Sequence, residues 1–291
     1  MVIALQGQEI FMKKYDLPTL KAFTVTVHDN HVAEICLDRP EAINSMNNDF
    51  WRELPAIVNK LDMAGTIRVI ILSSTGKHFT AGMDLEVFDS MDDDKDLEPS
   101  RSAEKKRRWI LKLQDAFTAL EKARMPVIAA VQGACIGGGV DMICATDMRF
   151  CTSNAFFNIK ETELGITADV GTLQRIEKVM PSGLARELAY TSRDLDATEA
   201  KSCGFINKVF GSQDEMLTEV RQLAATIAKH SPMAVNGVKE MLNYSREHTV
   251  AESLNYMATW QAGMLQAPDV KEALSAAKEK RAANYDGLRP L

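Results

Sequence analysis

The segment that decides the fold is Val127-Ile-Ala-Ala-Val131 followed by Gln132-Gly-Ala-Cys-Ile-Gly-Gly-Gly-Val-Asp-Met142. Its first five residues are wholly apolar, which is typical of a strand buried on both faces of a parallel sheet. The glycines permit positive φ and a close approach of a ligand to the backbone, and a helix is expected directly after them. The segment therefore predicts a strand, a tight turn and a helix whose first N–H groups are free to bind an anion.

A second glycine-bearing turn, Lys77-His-Phe-Thr-Ala-Gly-Met-Asp-Leu85, follows another apolar run, Val69–Leu72. N–H groups that two such turns aim at one point can hold a phosphate or an oxyanion. The sequence contains neither G-x-G-x-x-G nor G-x-x-x-x-G-K-[ST], so phosphate cradles of those types are not expected. Taken alone, a run of three glycines more often indicates tight packing.

Apolar runs and amphipathic stretches alternate through the first 210 residues. Phe23–Val27 and Val32–Leu37 predict a pair of strands around a polar turn. Helices are predicted between the strands at Asn48–Asp62, Lys105–Ala123 and Asp169–Val179. This alternation predicts an α/β core with crossover connections.

From Ser212 onward the pattern is helical throughout. Ser212-x-x-Glu215 and Thr249-x-x-Glu252 are capping-box signatures, and Ser231-Pro232 fits an N-cap followed by proline at the first helical position. We therefore divide the chain into an α/β core, residues 1–211, and a C-terminal helical oligomerisation region, residues 212–291. The apolar side chains on these helices predict a symmetric oligomer.

Composition excludes several classes of protein. The 291 residues are 46% hydrophobic and 25% charged, which is typical of a folded globular protein and not of a disordered or collagenous chain. A net charge of −6 argues against a nucleic-acid or anionic-membrane partner. The best candidate for a membrane span, Met125–Val140, carries no charge but is too short and too rich in glycine to span a bilayer.

The side chains with metal-binding potential form no recognisable metal motif. Five cysteines without a C-x-x-C spacing indicate free thiols, so neither a zinc site nor a disulfide framework is expected. The acidic run Asp89–Glu98 is interpreted as a solvated loop that leads into a helix. The basic cluster Lys105–Arg108 has a second interpretation, as a helix turn that reaches a ligand phosphate.

Three carboxylates lie shortly after the glycine turn. Asp141 is one turn into the predicted helix, Glu161 follows the apolar strand Ala155–Ile159, and Asp169 precedes a predicted helix start. Each has a structural interpretation: Asp141 as a first-turn anion, Glu161 as a surface partner of Lys160, and Asp169 as an N-cap. Composition and spacing leave those interpretations open.

The order of these motifs resembles a known family. Ala81-Gly-Met-Asp-Leu85 and Gly137-Gly-Gly-Val-Asp141 are similar to the two oxyanion-hole turns of the enoyl-CoA hydratase/isomerase (crotonase) superfamily. Ala155-Phe-Phe-Asn-Ile-Lys-Glu161 and Ala168-Asp-Val-Gly-Thr-Leu-Gln-Arg175 resemble its Δ3,5-Δ2,4-dienoyl-CoA isomerase branch. Hydratases of the superfamily carry two glutamates that match Asp141 and Glu161, and a small residue where this chain has Asp169. The resemblance thus implies isomerisation and not water addition.

The resemblance also implies a fold and a mechanism. The fold is α/β, a crotonase-like spiral of ββα units with a C-terminal helical trimerisation region that builds homo-trimers or homo-hexamers. Met83 and Gly138 are expected to donate N–H groups to the thioester oxygen of an acyl-CoA substrate in fatty-acid β-oxidation. Glu161 is expected to remove a proton from C2 and Asp169 to deliver one at C6, with Asp141 tuning the pair. No metal or cofactor is expected, since CoA enters as part of the substrate.

Two alternatives remain open: a hydratase of the same superfamily, and a catalytically silent binding protein with the same fold. A cytoplasmic location is expected, because the sequence shows no signal peptide, no membrane span and, at Leu288-Arg-Pro-Leu291, no S-K-L-type peroxisomal address.

Overall fold

The computed structural model describes residues 19–89 and 98–291, and the acidic positions Asp92, Asp93, Asp94 and Asp96 lie outside those ranges. Nine strands form within them. They are β1 (Phe23–Val27), β2 (Val32–Leu37), β3 (Val69–Ser74), β4 (Val127–Val131), β5 (Ala134–Ile136), β6 (Met148–Thr152), β7 (Phe156–Asn158), β8 (Leu195–Asp196) and β9 (Lys208–Phe210).

The strands form two sheets. The larger has the order β1-β2-β3-β4-β6-β9, in which β1 runs antiparallel to β2 and every other pair is parallel. The smaller has the order β5-β7-β8, with β5 parallel and β8 antiparallel to β7. The predicted strand pair and the two predicted apolar strands are confirmed.

The helices occupy the connections and the C-terminal region. They are α1 (Asn48–Ala64), α2 (Leu85–Asp89), α3 (Pro99–Lys122), α4 (Gly138–Cys144), α5 (Thr172–Arg175), α6 (Ser182–Thr191), α7 (Ala197–Ser202), α8 (Gln213–Ala228), α9 (Pro232–Ser245), α10 (Val250–Met264) and α11 (Pro268–Glu279). Short 3₁₀ turns lie at Pro40–Ala42, Glu161–Leu164 and Ile176–Lys178.

Both faces of the large sheet are buried, as the apolar strand sequences predict. Alternate residues such as Ile70 and Leu72 pack with helices α1 and α3 in the main core. Their neighbours Val69 and Ile71 face the other way, into a second cluster that includes Val220 of α8. Helix α8 therefore covers one face of the sheet, and the division of the chain at residue 212 stays a prediction.

All three predicted helices have different bounds in the structure, and α1 differs least, since it ends at Ala64, two residues after its predicted end. Helix α3 begins at Pro99, six residues before the predicted start, because the Glu98 carboxylate caps it by accepting the N–H groups of Ser100 and Arg101. The helix predicted at Asp169–Val179 is reduced to α5 and one 3₁₀ turn. Gly171, with φ of 133°, lies outside the helical region and delays the helix start.

The last helices are joined to the core by a buried cation. The Lys239 ammonium on α9 donates to the carbonyl oxygens of Leu120 and Met125, each at 3.0 Å, and pairs with Asp147 at 2.9 Å. The predicted capping box at Thr249 and Glu252 is complete. The Ser212 side chain accepts the N–H of Glu215, as predicted. The Glu215 carboxylate accepts the N–H of Gly211 and not that of Ser212, so the capping box is incomplete there.

None of the helices in the described ranges combines the length and the apolar character needed to cross a bilayer.

Candidate active site

The two glycine-bearing turns lie side by side where β3 and β4 end. A bridge joins them: the N–H of Thr80 donates to Ala134 O at 3.1 Å, and the N–H of Ile136 donates to Thr80 O at 3.2 Å. The carboxyl ends of neighbouring parallel strands are the usual position of ligand sites in α/β folds. The two turns predicted from the sequence thus lie next to each other at this edge of the sheet.

Two backbone N–H groups are available at the meeting point. Gly138 is the first residue of α4, so its N–H makes no bond within the helix. Met83 belongs to a bridge with Met46, but the bonds of that bridge run from Met46 N–H to Gly82 O and from Asp84 N–H to Met46 O. Across the described ranges, neither the Met83 nor the Gly138 N–H has an acceptor.

The two N–H groups are also close in space. A Cβ atom placed on Gly138 would lie 4.0 Å from the Met83 nitrogen. Both residues line one cavity of about 540 Å³, a volume typical of small-molecule sites. The cavity is lined by Ser45, Ala81, Gly82, Met83, Asp84, Leu85, Trp109, Ile136, Gly137, Gly138, Lys160, Glu161, Leu164, Ile166, Asp169 and Val170. Two unpaired donors in a largely apolar cavity can stabilise an oxyanion.

Glu161 lies against the glycine turn. Gly137 has φ of 51° and ψ of −117°, and a Cβ atom there would lie 3.2 Å from Oε1 of Glu161. Glycine therefore permits the carboxylate to approach the turn. The interpretation of Glu161 as a surface partner of Lys160 is wrong, because the Lys160 ammonium pairs with Glu163.

Asp141 is fully buried one turn into α4. Its Oδ1 accepts the N–H of Thr172, the first residue of α5, so it joins two segments of the site. Within the described part of the chain, Oδ2 of Asp141 and Oε2 of Glu161 are buried and have no hydrogen-bond partner. Buried, unsatisfied carboxylate oxygens are rare in folded proteins and call for a functional explanation.

Asp169 is exposed to the cavity. It is not the N-cap that the structural interpretation proposed: the N-cap of α5 is Gly171, which has no capping side chain. The main-chain oxygen of Asp169 accepts a hydrogen bond from Nε2 of Gln114 on α3 at 2.6 Å. Its carboxyl group is thus free to face a ligand.

The environment favours the protonated forms of all three carboxyl groups. Burial, with the charge of Glu161 next in size, raises the pKa of Asp141 to about 7. Burial also raises the pKa of Glu161, and the charge of Asp169 adds to that rise. Partial removal of water raises the pKa of Asp169. Neighbouring carboxyl groups with raised pKa values are suited to acid–base chemistry near neutral pH.

One further acidic residue lines the cavity in its charged form. Asp84 accepts a hydrogen bond from Ser45 Oγ at 2.6 Å and lies 3.6 Å from Nη1 of Arg39. The bond from Ser45, aided by Arg39, lowers the pKa of Asp84. Asp84 belongs to the glycine-bearing turn Lys77–Leu85, but the sequence pattern predicts no role for Asp84, Ser45, Trp109 or Gln114. Ser45 and Gln114 carry no sequence signal, because their partners are distant in the chain.

Among the described residues, no group of three or more histidine, cysteine, aspartate or glutamate side chains is arranged to hold a metal ion.

Comparison with known proteins gives a consistent result. The profile of the enoyl-CoA hydratase/isomerase family matches residues 28–288. A mouse protein named mitochondrial Δ(3,5)-Δ(2,4)-dienoyl-CoA isomerase is 45% identical, and the match covers 90% of this chain and 80% of that protein. A peroxisomal Arabidopsis thaliana protein of the same enzyme name is 44% identical, over 89% of this chain and 94% of that protein.

Solved structures confirm the fold. The crystal structure of enoyl-CoA hydratase from Bacillus anthracis superimposes with a TM-score of 0.82 at 29% identity. That match covers 92% of this chain and 100% of the other. The crotonase-like α/β fold predicted from the sequence is therefore confirmed.

The cytoplasmic location expected from the sequence is contradicted by the relatives. The mouse and human proteins are named mitochondrial, and the Arabidopsis protein is named peroxisomal. The lack of a recognisable address motif was an insufficient basis for that expectation.

The extent of the family match and the identities to its members lead to one conclusion: the chain belongs to the enoyl-CoA hydratase/isomerase family.

Proposed function

We propose that this protein converts a 3,5-dienoyl-CoA into a 2,4-dienoyl-CoA by moving a proton from C2 to C6. The observation that carries the proposal is the presence of a second carboxyl group, Asp169, in the wall of the cavity that holds Glu161 and the two free N–H groups. A proton shift between distant carbons needs one group at each end of the path. The relatives named as dienoyl-CoA isomerases at 41–45% identity support the same reaction.

The first step is removal of a C2 proton by the Glu161 carboxylate. The electron pair of the broken C–H bond delocalises onto the adjacent thioester oxygen and, on the other side of C2, through the diene to C6, which gives a dienolate. The N–H groups of Met83 and Gly138 would hold that oxygen, and one such donor is typically worth about 3–4 kcal/mol in the transition state. Because these donors are fixed by the two turns, they need no reorganisation as the charge develops.

The second step is delivery of a proton to C6 by Asp169. The electron pair returns from the oxygen, the thioester carbonyl re-forms, and the double bonds lie at C2 and C4. Glu161 keeps the proton taken from C2 and Asp169 is left ionised, so the pair is restored by exchange with solvent. A positioned acid or base contributes roughly 10²- to 10⁴-fold to such a step.

The raised pKa values suit this division of labour. Glu161 must start ionised and Asp169 protonated. Burial and the charge of Asp169 raise the pKa of Glu161, and burial raises the pKa of Asp169, so the titrations of the two groups are coupled. Buried Asp141 adds to the negative potential, which helps keep one proton in the site. The shift moves one proton and no electrons overall, so it requires no redox cofactor, and CoA enters with the substrate.

We also propose that the protein is a homo-trimer or homo-hexamer assembled through the C-terminal helices. Large apolar side chains on these helices are more than half exposed in the single chain. They are Val238, Leu242, Val250, Leu254, Leu265 and Leu274. An apolar surface of this kind is typical of a subunit interface.

An ultraviolet scan with 3,5-octadienoyl-CoA tests the proposed reaction. We expect absorbance to rise at longer wavelength, because the product diene is conjugated with the thioester carbonyl. Octanoyl-CoA, which has no double bonds to move, is the control and should give no change. Hydration of a 2-enoyl-CoA without dienoyl turnover would indicate a hydratase, and binding without turnover of either substrate would indicate a silent member of the family.

A further inference from the structure

Helix α3 presents one face to the segment that carries Asp169. Gln114, Thr118 and Glu121 are spaced by four and three residues, so their side chains lie on the same side of the helix. Gln114 donates to the main-chain oxygen of Asp169, and Thr118 and Glu121 both accept from the guanidinium of Arg175. The face thus contacts both ends of the segment from Asp169 to Arg175.

The Gln114 contact is the one that fixes Asp169 itself. Among the described residues, the bond from Nε2 of Gln114 to Asp169 O, 2.6 Å long, is the only hydrogen bond to the main chain of residues 167–170. The side chains on either side of Asp169, Ala168 and Val170, are buried in the main core and hold the segment, whereas residues 164–167 are exposed. Gln114 therefore supplies the hydrogen bond that orients the Asp169 peptide group between these two packed neighbours.

The anchors further along the segment do not replace this contact. The Asp141 carboxylate holds the N–H of Thr172, and Glu121 holds Arg175 at 2.9 Å. Gly171 lies between those anchors and Asp169, and its φ of 133° belongs to a region in which glycine is conformationally free. The anchors on α5 therefore do not act directly on Asp169, which is held by the burial of its two neighbours and by the Gln114 bond.

We propose that Gln114 is a positioning residue for the proton transfer at C6, and that it acts by holding the main chain of Asp169 against α3. This inference rests on the proposed function. Gln114 itself need not touch the substrate. Its effect is confined to the Asp169 end of the path, because Glu161 belongs to a separate segment, the 3₁₀ turn Glu161–Leu164.

Gln114→Met tests the inference, because methionine has a similar length and no N–H donor. Gln114→Glu is a second variant that keeps the shape and loses the donor when ionised. Lys112→Met is the matched control, since Lys112 is an exposed residue two positions away on the same helix. Each protein is given 3,5-octadienoyl-CoA in deuterated water, and two rates are measured: formation of the 2,4-diene and exchange of the C2 protons of recovered substrate.

We expect both Gln114 variants to lose isomerisation by about 10- to 100-fold, the usual effect of misplacing a catalytic group by a fraction of an ångström to one ångström. KM and C2 exchange should stay at the wild-type level, and Lys112→Met should match the wild type in every rate. Wild-type isomerisation in either folded Gln114 variant would overturn the inference. An equal fall in isomerisation and in C2 exchange would also overturn it, because it would show a general structural role.

Failure of the proposed function gives a different result. In that case the wild type forms no 2,4-diene, or Asp169→Asn forms it as fast as the wild type, whatever the Gln114 variants do.

Discussion

Replacement of Asp141 by asparagine should change the pH dependence of folding stability. Asp141 is fully buried, its Oδ1 accepts from the N–H of Thr172, and its pKa is raised from 3.8 to about 7, chiefly by burial and then by Glu161. A raised pKa means that the folded state binds the proton more tightly than the unfolded state. The stability associated with this proton is fully present below pH 3.8 and is lost as the pH rises through about 7.

The size of the effect follows from the two pKa values. At about 1.4 kcal/mol per pKa unit, the raised pKa of Asp141 lowers the free energy of unfolding by about 1.7 kcal/mol at pH 5 and about 4.3 kcal/mol at pH 8, relative to a carboxyl group with an unshifted pKa. Asparagine keeps the acceptor for Thr172 but cannot ionise. Its Nδ2 would take the place of an oxygen that has no partner among the described residues, a cost of about 1–3 kcal/mol that does not depend on pH. The free energy of unfolding of Asp141→Asn, relative to wild type, should therefore increase by about 2.6 kcal/mol between pH 5 and pH 8.

Urea unfolding of both proteins at the two pH values measures this difference. One protomer concentration must be used throughout, because stability of an oligomer depends on concentration. Asp115→Asn on α3 changes an exposed carboxylate and is the matched control. A difference for Asp141→Asn that is the same at pH 5 and pH 8 would refute the described environment of this carboxyl group.

Two further predictions concern the oxyanion donors and the assembly. Gly138→Pro should lower kcat by about 100- to 1,000-fold, because it deletes one N–H at a position where a helix tolerates proline. Gly138→Ala is the control: it adds the same Cβ atom, 2.9 Å from Met46 Sδ, but keeps the N–H, and it should retain most activity. Equal losses in the two variants would assign the effect to the contact and not to the N–H. Light scattering at micromolar concentration should find an oligomer for the wild type. Leu254→Glu should give smaller species, because it places a charge on an exposed apolar helix face. A monomeric wild type would contradict the proposed assembly.

The fold was largely predictable because its signals are local. The apolar run at Val127–Val131 can be satisfied by a strand buried on both faces, and the structure places it in the middle of the large sheet. The capping box at Thr249 marks a helix start without reference to the rest of the chain. Where local signals were weak, the prediction was wrong. The helix expected to begin at Asp169 begins at Thr172, because Gly171 lies outside the helical region and the N–H of Thr172 donates to the Asp141 carboxylate.

The candidate site was predictable only in part. The resemblance selected Asp141, Glu161 and Asp169, and the structure brings the charges of all three within reach of one another. The resemblance could not indicate that Asp141 is fully buried while Asp169 is open to the cavity, because burial depends on packing between distant segments. The contact from Gln114 to Asp169 joins residues 55 positions apart and depends on how α3 crosses the site.

The central claim is that Glu161 works at C2 and Asp169 at C6. Incubation of Glu161→Gln and Asp169→Asn with 3,5-octadienoyl-CoA in deuterated water, followed by mass spectrometry of the recovered acyl-CoA, tests that claim most directly. Asp169→Asn should form no 2,4-diene and still exchange the C2 protons of the substrate, and Glu161→Gln should do neither. Near-normal isomerisation by Asp169→Asn would contradict the account, and so would C2 exchange at the wild-type rate by Glu161→Gln.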